Sequence, residues 1–157
     1  MGAEANQGGH TPQSAAAMAA AEEQVEYLLE AARYDELDDI RSLYAAGVSL
    51  DSKDEQGRTA LHMAAANGHH DVVEFLLSKG VDVDACNQEN NTPLHWACLN
   101  GRTEVIESLI MAGANVSALN SHDRTPIDEA LIQNKTEVID VFNTAVAQLE
   151  LCQTTVS

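Results

Sequence analysis

What this chain can become is limited first by a segment that returns, almost letter for letter, further along. Gly57-Arg-Thr-Ala-Leu-His-Met-Ala-Ala-Ala-Asn-Gly-His-His70 is followed by Asn90-Asn-Thr-Pro-Leu-His-Trp-Ala-Cys-Leu-Asn-Gly-Arg-Thr103, and a worn third copy runs from Asp123 to Asn134. Thr59, Thr92 and Thr125 are evenly spaced and in register, and so are Gly47, Gly80 and Gly113. Self-similarity at a fixed period of this size implies stacked supersecondary units, none of which can bury its apolar face alone.

Each copy reads as a helix pair. Thr59, Thr92 and Thr125 stand where a hydroxyl takes up a free backbone N–H, a cap typically worth ~1 kcal/mol. Pro93 and Pro126 occupy the first helical position, where the missing N–H has no intrahelical partner anyway. Gly68 and Gly101 turn the chain into a second helix, and Asn134 does so in the third copy, since Asn tolerates the left-handed conformation. Val72, Val73, Leu76 and Leu77 then form an apolar face, matched by Val105, Ile106, Leu109 and Ile110. Upstream, Val25, Leu28, Leu29 and Ala32, then Leu37, Ile40, Leu43 and Tyr44, recur at helical spacing and predict a terminal pair with an acidic outer side. Downstream, a longer closing helix is expected over 136–150.

The fold expected is therefore an all-α repeat solenoid of about four units, at residues 22–53, 54–86, 87–119 and 120–150, with helical caps at both ends. These lie in a domain at 15–150, preceded by a glycine-rich disordered tail at 1–14 and followed by a frayed end at 151–157. Aromatic residues are only 4% of the chain, so the core must come from Ala, Leu, Val and Ile.

The formal charge of −17 is the second strong signal. Such a surface repels nucleic acid and anionic membranes and attracts basic partners. Three cysteines, Cys86, Cys98 and Cys152, make no disulfide framework and fit a reducing compartment. No apolar run approaches the ~20 residues that span a bilayer, and the start lacks the pattern of a signal peptide. A soluble protein of cytoplasm and nucleus, monomeric alone, is expected.

The stretches Thr-Ala-Leu-His-Met-Ala-Ala-Ala-Asn-Gly-His and Thr-Pro-Leu-His-Trp-Ala, with Gly-Val-Asp-Val-Asp-Ala and Gly-Ala-Asn-Val-Ser-Ala between units, resemble ankyrin repeats over residues 22–145. The resemblance implies antiparallel helix pairs joined by β-hairpin-like fingers, with inner helices and finger tips lining a concave binding surface. Met63, Ala66, Asn67, Trp96, Leu99 and Asn100 also resemble the yeast-type short acidic ankyrin chaperones of a KH-domain small-subunit ribosomal protein. That narrower likeness implies an escort that keeps a basic ribosomal protein soluble for ribosome assembly. A generic adaptor or inhibitor in signalling or transcription is the alternative.

Laying the copies in columns marks a binding face independently of the family. The residue after His reads Glu30, Met63, Trp96, Glu129; three further on stand Arg33, Ala66, Leu99, Ile132, and beside them Tyr34, Asn67, Asn100, Gln133. Spacings of three and four share one helical face. With Leu61, Ala64, Leu94 and Ala97 filling the core, Met63 and Trp96 are expected on the surface. Finger columns add Glu22 and Glu23, Glu55, Glu89, and the cations Arg58 and Arg124. An amphipathic basic helix suits such a groove, with Trp96 its principal anchor.

His62 and His95 are read as structural, bridging backbone groups of adjacent repeats, alongside Thr59, Gly68, Thr92, Gly101 and Thr125. His69 and His70 have no clustered Cys, so no metal site is expected. No phosphate loop, Ser-His-Asp set or paired carboxylates in a cleft occur, so neither catalysis nor a cofactor is expected.

Overall fold

The computed structural model describes the backbone of residues 2–156 and the side chains of residues 15–153. Met1 and Ser157, the outermost residues of the expected tail and frayed end, lie outside the described residues. Eight helices and no strand occur among the described residues: α1 (Gly2–Arg33), α2 (Leu37–Ala45), α3 (Ala60–Asn67), α4 (His70–Ser78), α5 (Pro93–Leu99), α6 (Thr103–Met111), α7 (Pro126–Ile132) and α8 (Thr136–Val156). They form two rows. In the inner row α1, α3, α5 and α7 each pack on the next, while α2, α4, α6 and α8 lie behind their own partners, with α4 on α6 and α6 on α8.

The pattern of small and branched residues explains why the rows close up. Ala60, Ala64, Ala65 and Ala97 have essentially no exposed surface, so the inner helices approach closely. Leu61, Leu94, Val72, Val73, Leu76, Val105, Ile106, Leu109 and Ile110 fill the space between the rows. Each such side chain contributes roughly 1.5–3 kcal/mol through burial.

The inner helices start as their sequence dictates. Thr59, Thr92 and Thr125 accept the backbone N–H three residues on, and the side chain at that third position returns the bond to the threonine's own N–H. Histidine does this in the first two copies. In the last, Asp128 Oδ2 takes the Thr125 N–H at 2.9 Å.

The fingers are tight turns, each closed by a backbone bond from Asp54, Asn87 or Asn120 to the carbonyl four residues on, and the β-hairpin-like form that the family resemblance implies is not seen as strands among the described residues. Asp54, Asn87 and Asn120 each anchor one. Their side-chain oxygens accept the N–H groups two and four residues on, at distances from 2.9 to 3.1 Å. Single backbone bonds link neighbouring fingers: Gln88 N–H to the Gln56 carbonyl at 3.0 Å and Ser121 N–H to the Glu89 carbonyl at 2.8 Å. With one bond per pair, no ladder forms.

Two further differences concern the ends. The backbone is helical back to Gly2, where composition predicts a tail over 1–14, and forward to Val156, past the expected fraying at 151. Once a packed turn exists, extending a helix adds one bond per residue fixed. Ala15 through Gln24 are exposed, and packing of α1 begins at Val25. Glu22 and Glu23, expected on a finger, therefore lie on α1.

Candidate protein-binding face

Each predicted binding residue now has a place. Glu23, Glu30 and Tyr34 are exposed on α1 or just after it, and Glu55 and Glu89 are exposed on the first and second fingers. Asn67 and Asn100 are exposed at the ends of α3 and α5. Their amides donate to the carbonyls of Met63 at 2.8 Å and Trp96 at 2.9 Å, which holds both side chains while leaving their oxygens available. Trp96 and Leu99 are half-buried, and Ile132 is 52% exposed at the end of α7.

Met63 and Glu129 are corrections. Met63 keeps only 3% of its surface, because Arg33 of the preceding repeat lies on it, Nη2 at 3.5 Å from the sulfur. Filled core slots within one repeat do not show what the neighbouring repeat lays over a side chain, so the aligned columns gave no sign of this. Glu129 is 8% exposed and is used internally, accepting from Asn120 Nδ2 at 2.7 Å and lying 3.5 Å from Arg124 Nη1. The two finger arginines are likewise occupied. Arg58 forks onto Asp54, with Nε at 2.8 Å and Nη2 at 2.7 Å from the same carboxylate oxygen, and Arg124 faces Glu129.

His62 has no exposed surface; its Nδ1 accepts from the Thr59 N–H at 3.2 Å, so Nε2 carries the proton and donates to the Asn91 carbonyl at 2.8 Å. His95 repeats this with Thr92 at 3.1 Å and the Arg124 carbonyl at 2.9 Å. Burial pushes the His62 imidazole down to about 4, and burial lowers His95 too, in each case against the opposing pull of the carbonyl it bonds. The Trp96 ring stands edge-on to His62, with centroids 5.1 Å apart.

Two arrangements were missed. The finger anchors Asp54, Asn87 and Asn120 were legible as a side-chain oxygen recurring once per repeat. The other is a tie at the opposite edge, where His69 Nε2 donates to the Arg33 carbonyl at 2.6 Å and Arg102 Nε to the Ala66 carbonyl at 2.9 Å. Each fastens the end of one inner helix to the next repeat, though imidazole and guanidinium share no sequence letter.

Carboxylates dominate the first end of the face. Two cavities of about 370 Å³ and about 270 Å³ lie between α1 and the first finger. Glu26 and Glu55 line both, with Glu30 in the first and Glu22 in the second. These four glutamates make no ion pair among the described residues. Three cations line the same cavities, Arg33 and Arg58 the first and Lys53 the second: Arg58 is paired with Asp54, while Arg33 rests on the Met63 sulfur and the Lys53 ammonium donates to the Cys86 carbonyl at 2.9 Å, both neutral acceptors. The described residues include no group of three metal-ligating side chains. They also include no helix long and apolar enough to cross a membrane.

A repeating capped helix pair, stacked through buried His-to-carbonyl bonds and tipped by turn fingers, now has its counterpart among known families. The family model for ankyrin repeats (3 copies) matches residues 1–85, 28–120 and 81–144. The chain belongs to the ankyrin-repeat family. No curated protein matches it at a significant level. Ankyrin repeats are in general protein-interaction modules rather than enzymes, which gives the chain the general role of binding a protein partner. On the inner face, the residues not taken up by caps, anchors and ties include Glu22, Glu26, Glu30, Tyr34 and Glu55 at one end and Glu89, Trp96, Leu99 and Ile132 towards the other.

Proposed function

We propose that this ankyrin face binds a basic helical segment of its protein partner, and that the protein acts as an escort shielding that segment. The observation that carries the reading is the group of four glutamates, without an ion pair among the described residues, that outnumbers the three cations lining the same two open cavities, one of which is already paired with Asp54. Unpaired carboxylates on a chain of charge −17 draw cationic segments in and speed their encounter. The ribosomal likeness of Met63, Ala66, Asn67, Trp96, Leu99 and Asn100 supplies a client class, a KH-domain small-subunit ribosomal protein escorted through cytoplasm and nucleus. The burial of Met63 reduces that set without removing it.

The test is binding of a lysine-rich amphipathic helical peptide and of an acidic isomer to the full chain, across a salt series. The basic peptide is expected to bind with affinity falling as salt rises, and the acidic one not to bind. Joint replacement of Glu22, Glu26, Glu30 and Glu55 by Gln should weaken binding about 10-fold or more and flatten the salt slope. Equal binding of both peptides would count against the reading. Protection of the ribosomal protein from aggregation by stoichiometric chain tests the client.

A further inference from the structure

Every finger after the first gives one backbone N–H to the finger before it. Gln88 N–H reaches the Gln56 carbonyl at 3.0 Å, and Ser121 N–H reaches the Glu89 carbonyl at 2.8 Å. Glu55 holds the same register position in the first finger, so its N–H turns back towards α1. It meets no acceptor among the described residues, because α1 runs where a preceding finger would stand. The gap shows as the two cavities between α1 and the first finger, and Glu55 lines both. At the far end the row stops on the His122 carbonyl, which receives no N–H among the described residues. A backbone N–H left open at the end of such a row is a ready place for another backbone to add on.

We infer that the partner completes the finger row: a short extended stretch of its backbone, bearing a lysine or arginine, lies in the gap and gives a carbonyl to the Glu55 N–H. This rests on the basic-segment reading above and adds to it a backbone contact made beside the helix. The bond is the one the chain already makes twice at this register position, one carbonyl for each finger. Charge complementarity chooses the side chain that comes with it. Glu22, Glu26, Glu30 and Glu55 make no ion pair among the described residues, and they outnumber Arg33, Lys53 and Arg58, the last of which is paired with Asp54. A second copy could offer its open His122 carbonyl, but it would bring the exposed Asp123 carboxylate towards these glutamates. A basic stretch meets the same N–H without that repulsion.

The probe is a lysine-rich amphipathic helical peptide carrying a flexible Gly-Lys-Gly-Lys tail at each end, added to the full chain. Amide hydrogen exchange needs no variant. In the free chain the Glu55 amide should exchange faster than those of Gln88 and Ser121, and saturating peptide should slow it about 10-fold or more. An unchanged Glu55 rate at saturation would overturn the backbone contact and leave the basic-segment reading standing, whereas failure of the peptide to bind would sink both. Protection of Glu55 that grows with the concentration of the chain alone would overturn the partner in favour of a second copy. Two variants then separate the N–H from the carboxylate. Glu55→Gln removes the charge and keeps the donor. Glu55→Pro removes both at the second position of a turn closed by Gly57 N–H on the Asp54 carbonyl, where proline fits. The proline variant should bind about 5-fold more weakly than the glutamine one. Equal affinities of the two variants would contradict the proposal.

Discussion

The Nε2 atom of His62 lies 2.8 Å from the backbone oxygen of Asn91, so the imidazole that closes the cap of α3 also fastens the second finger. The Asn91 bond would survive protonation, but the bond in which Nδ1 accepts from the Thr59 N–H requires a neutral ring. The surroundings oppose protonation: burial first, then Lys53 and Arg58, against the Asn91 carbonyl and Asp54. Below about pH 6.5 the unfolded chain takes up a proton that the native chain refuses until the pH reaches about 4. The stability this ring supports is therefore complete above about pH 6.5 and is lost as the pH falls towards 4, by on the order of 3 kcal/mol. Urea midpoints should drop between about pH 7.5 and about pH 5, and the drop should shrink in His62→Gln. An identical drop in the variant would mean that other groups carry the effect.

Gly57 and Gly80 separate two costs of a side chain. Both have φ of +78°, but a Cβ on Gly57 would come within 3.1 Å of Asn87 Cα and 3.2 Å of Gln88 N, whereas one on Gly80 meets nothing. Gly80→Ala should cost about 1 kcal/mol of left-handed strain, and Gly57→Ala more, about 2–3 kcal/mol, because the next finger must move as well. Thermal unfolding of the two variants checks the order.

The thiols should differ in reactivity by place. Burial pushes the Cys98 thiol up to about 12, and the residue has no exposed surface, while Cys86 is exposed on its finger. A disulfide reagent at neutral pH is expected to label Cys86 in the native chain and Cys98 only after denaturant is added. Native labelling of Cys98 at the same rate would show that the α5 core opens readily.

Trp96 is the chain's single tryptophan and stands half-buried against His62. Its emission should shift when a basic peptide saturates the face, and Trp96→Ala should weaken that binding by about 10-fold or more. The same change should lower folding stability by about 2 kcal/mol, less than for a fully buried aromatic. Unchanged emission at saturation would place the contact elsewhere.

Most of the architecture was legible because its determinants are local and repeated. The Thr-x-x-His caps of α3 and α5, the glycines after those two helices and the Val-Val and Val-Ile pairs of α4 and α6 shape each unit locally, and the repeat copies them at a constant spacing. What was illegible is what one unit does to the next. Met63 and Trp96 share a column, yet Arg33 covers the first while the second stays half open. Glu129 looks like a surface acid until Asn120 and Arg124 are seen to hold it. The finger form depends on the same kind of detail: side-chain oxygens at Asp54, Asn87 and Asn120 accept turn N–H groups, and the backbone N–H of each anchor bonds the carbonyl four residues on.

Asp128 holds the place that His62 and His95 occupy in the earlier repeats, and its carboxyl is held below the usual carboxylate range by the Thr125 backbone N–H and hydroxyl. An imidazole there would offer a donor to the carbonyl of whatever finger came next; a carboxylate offers an acceptor to an acceptor. The bond by which His62 and His95 each hold the following finger therefore has no counterpart at Asp128, and the α7 cap is closed within its own repeat.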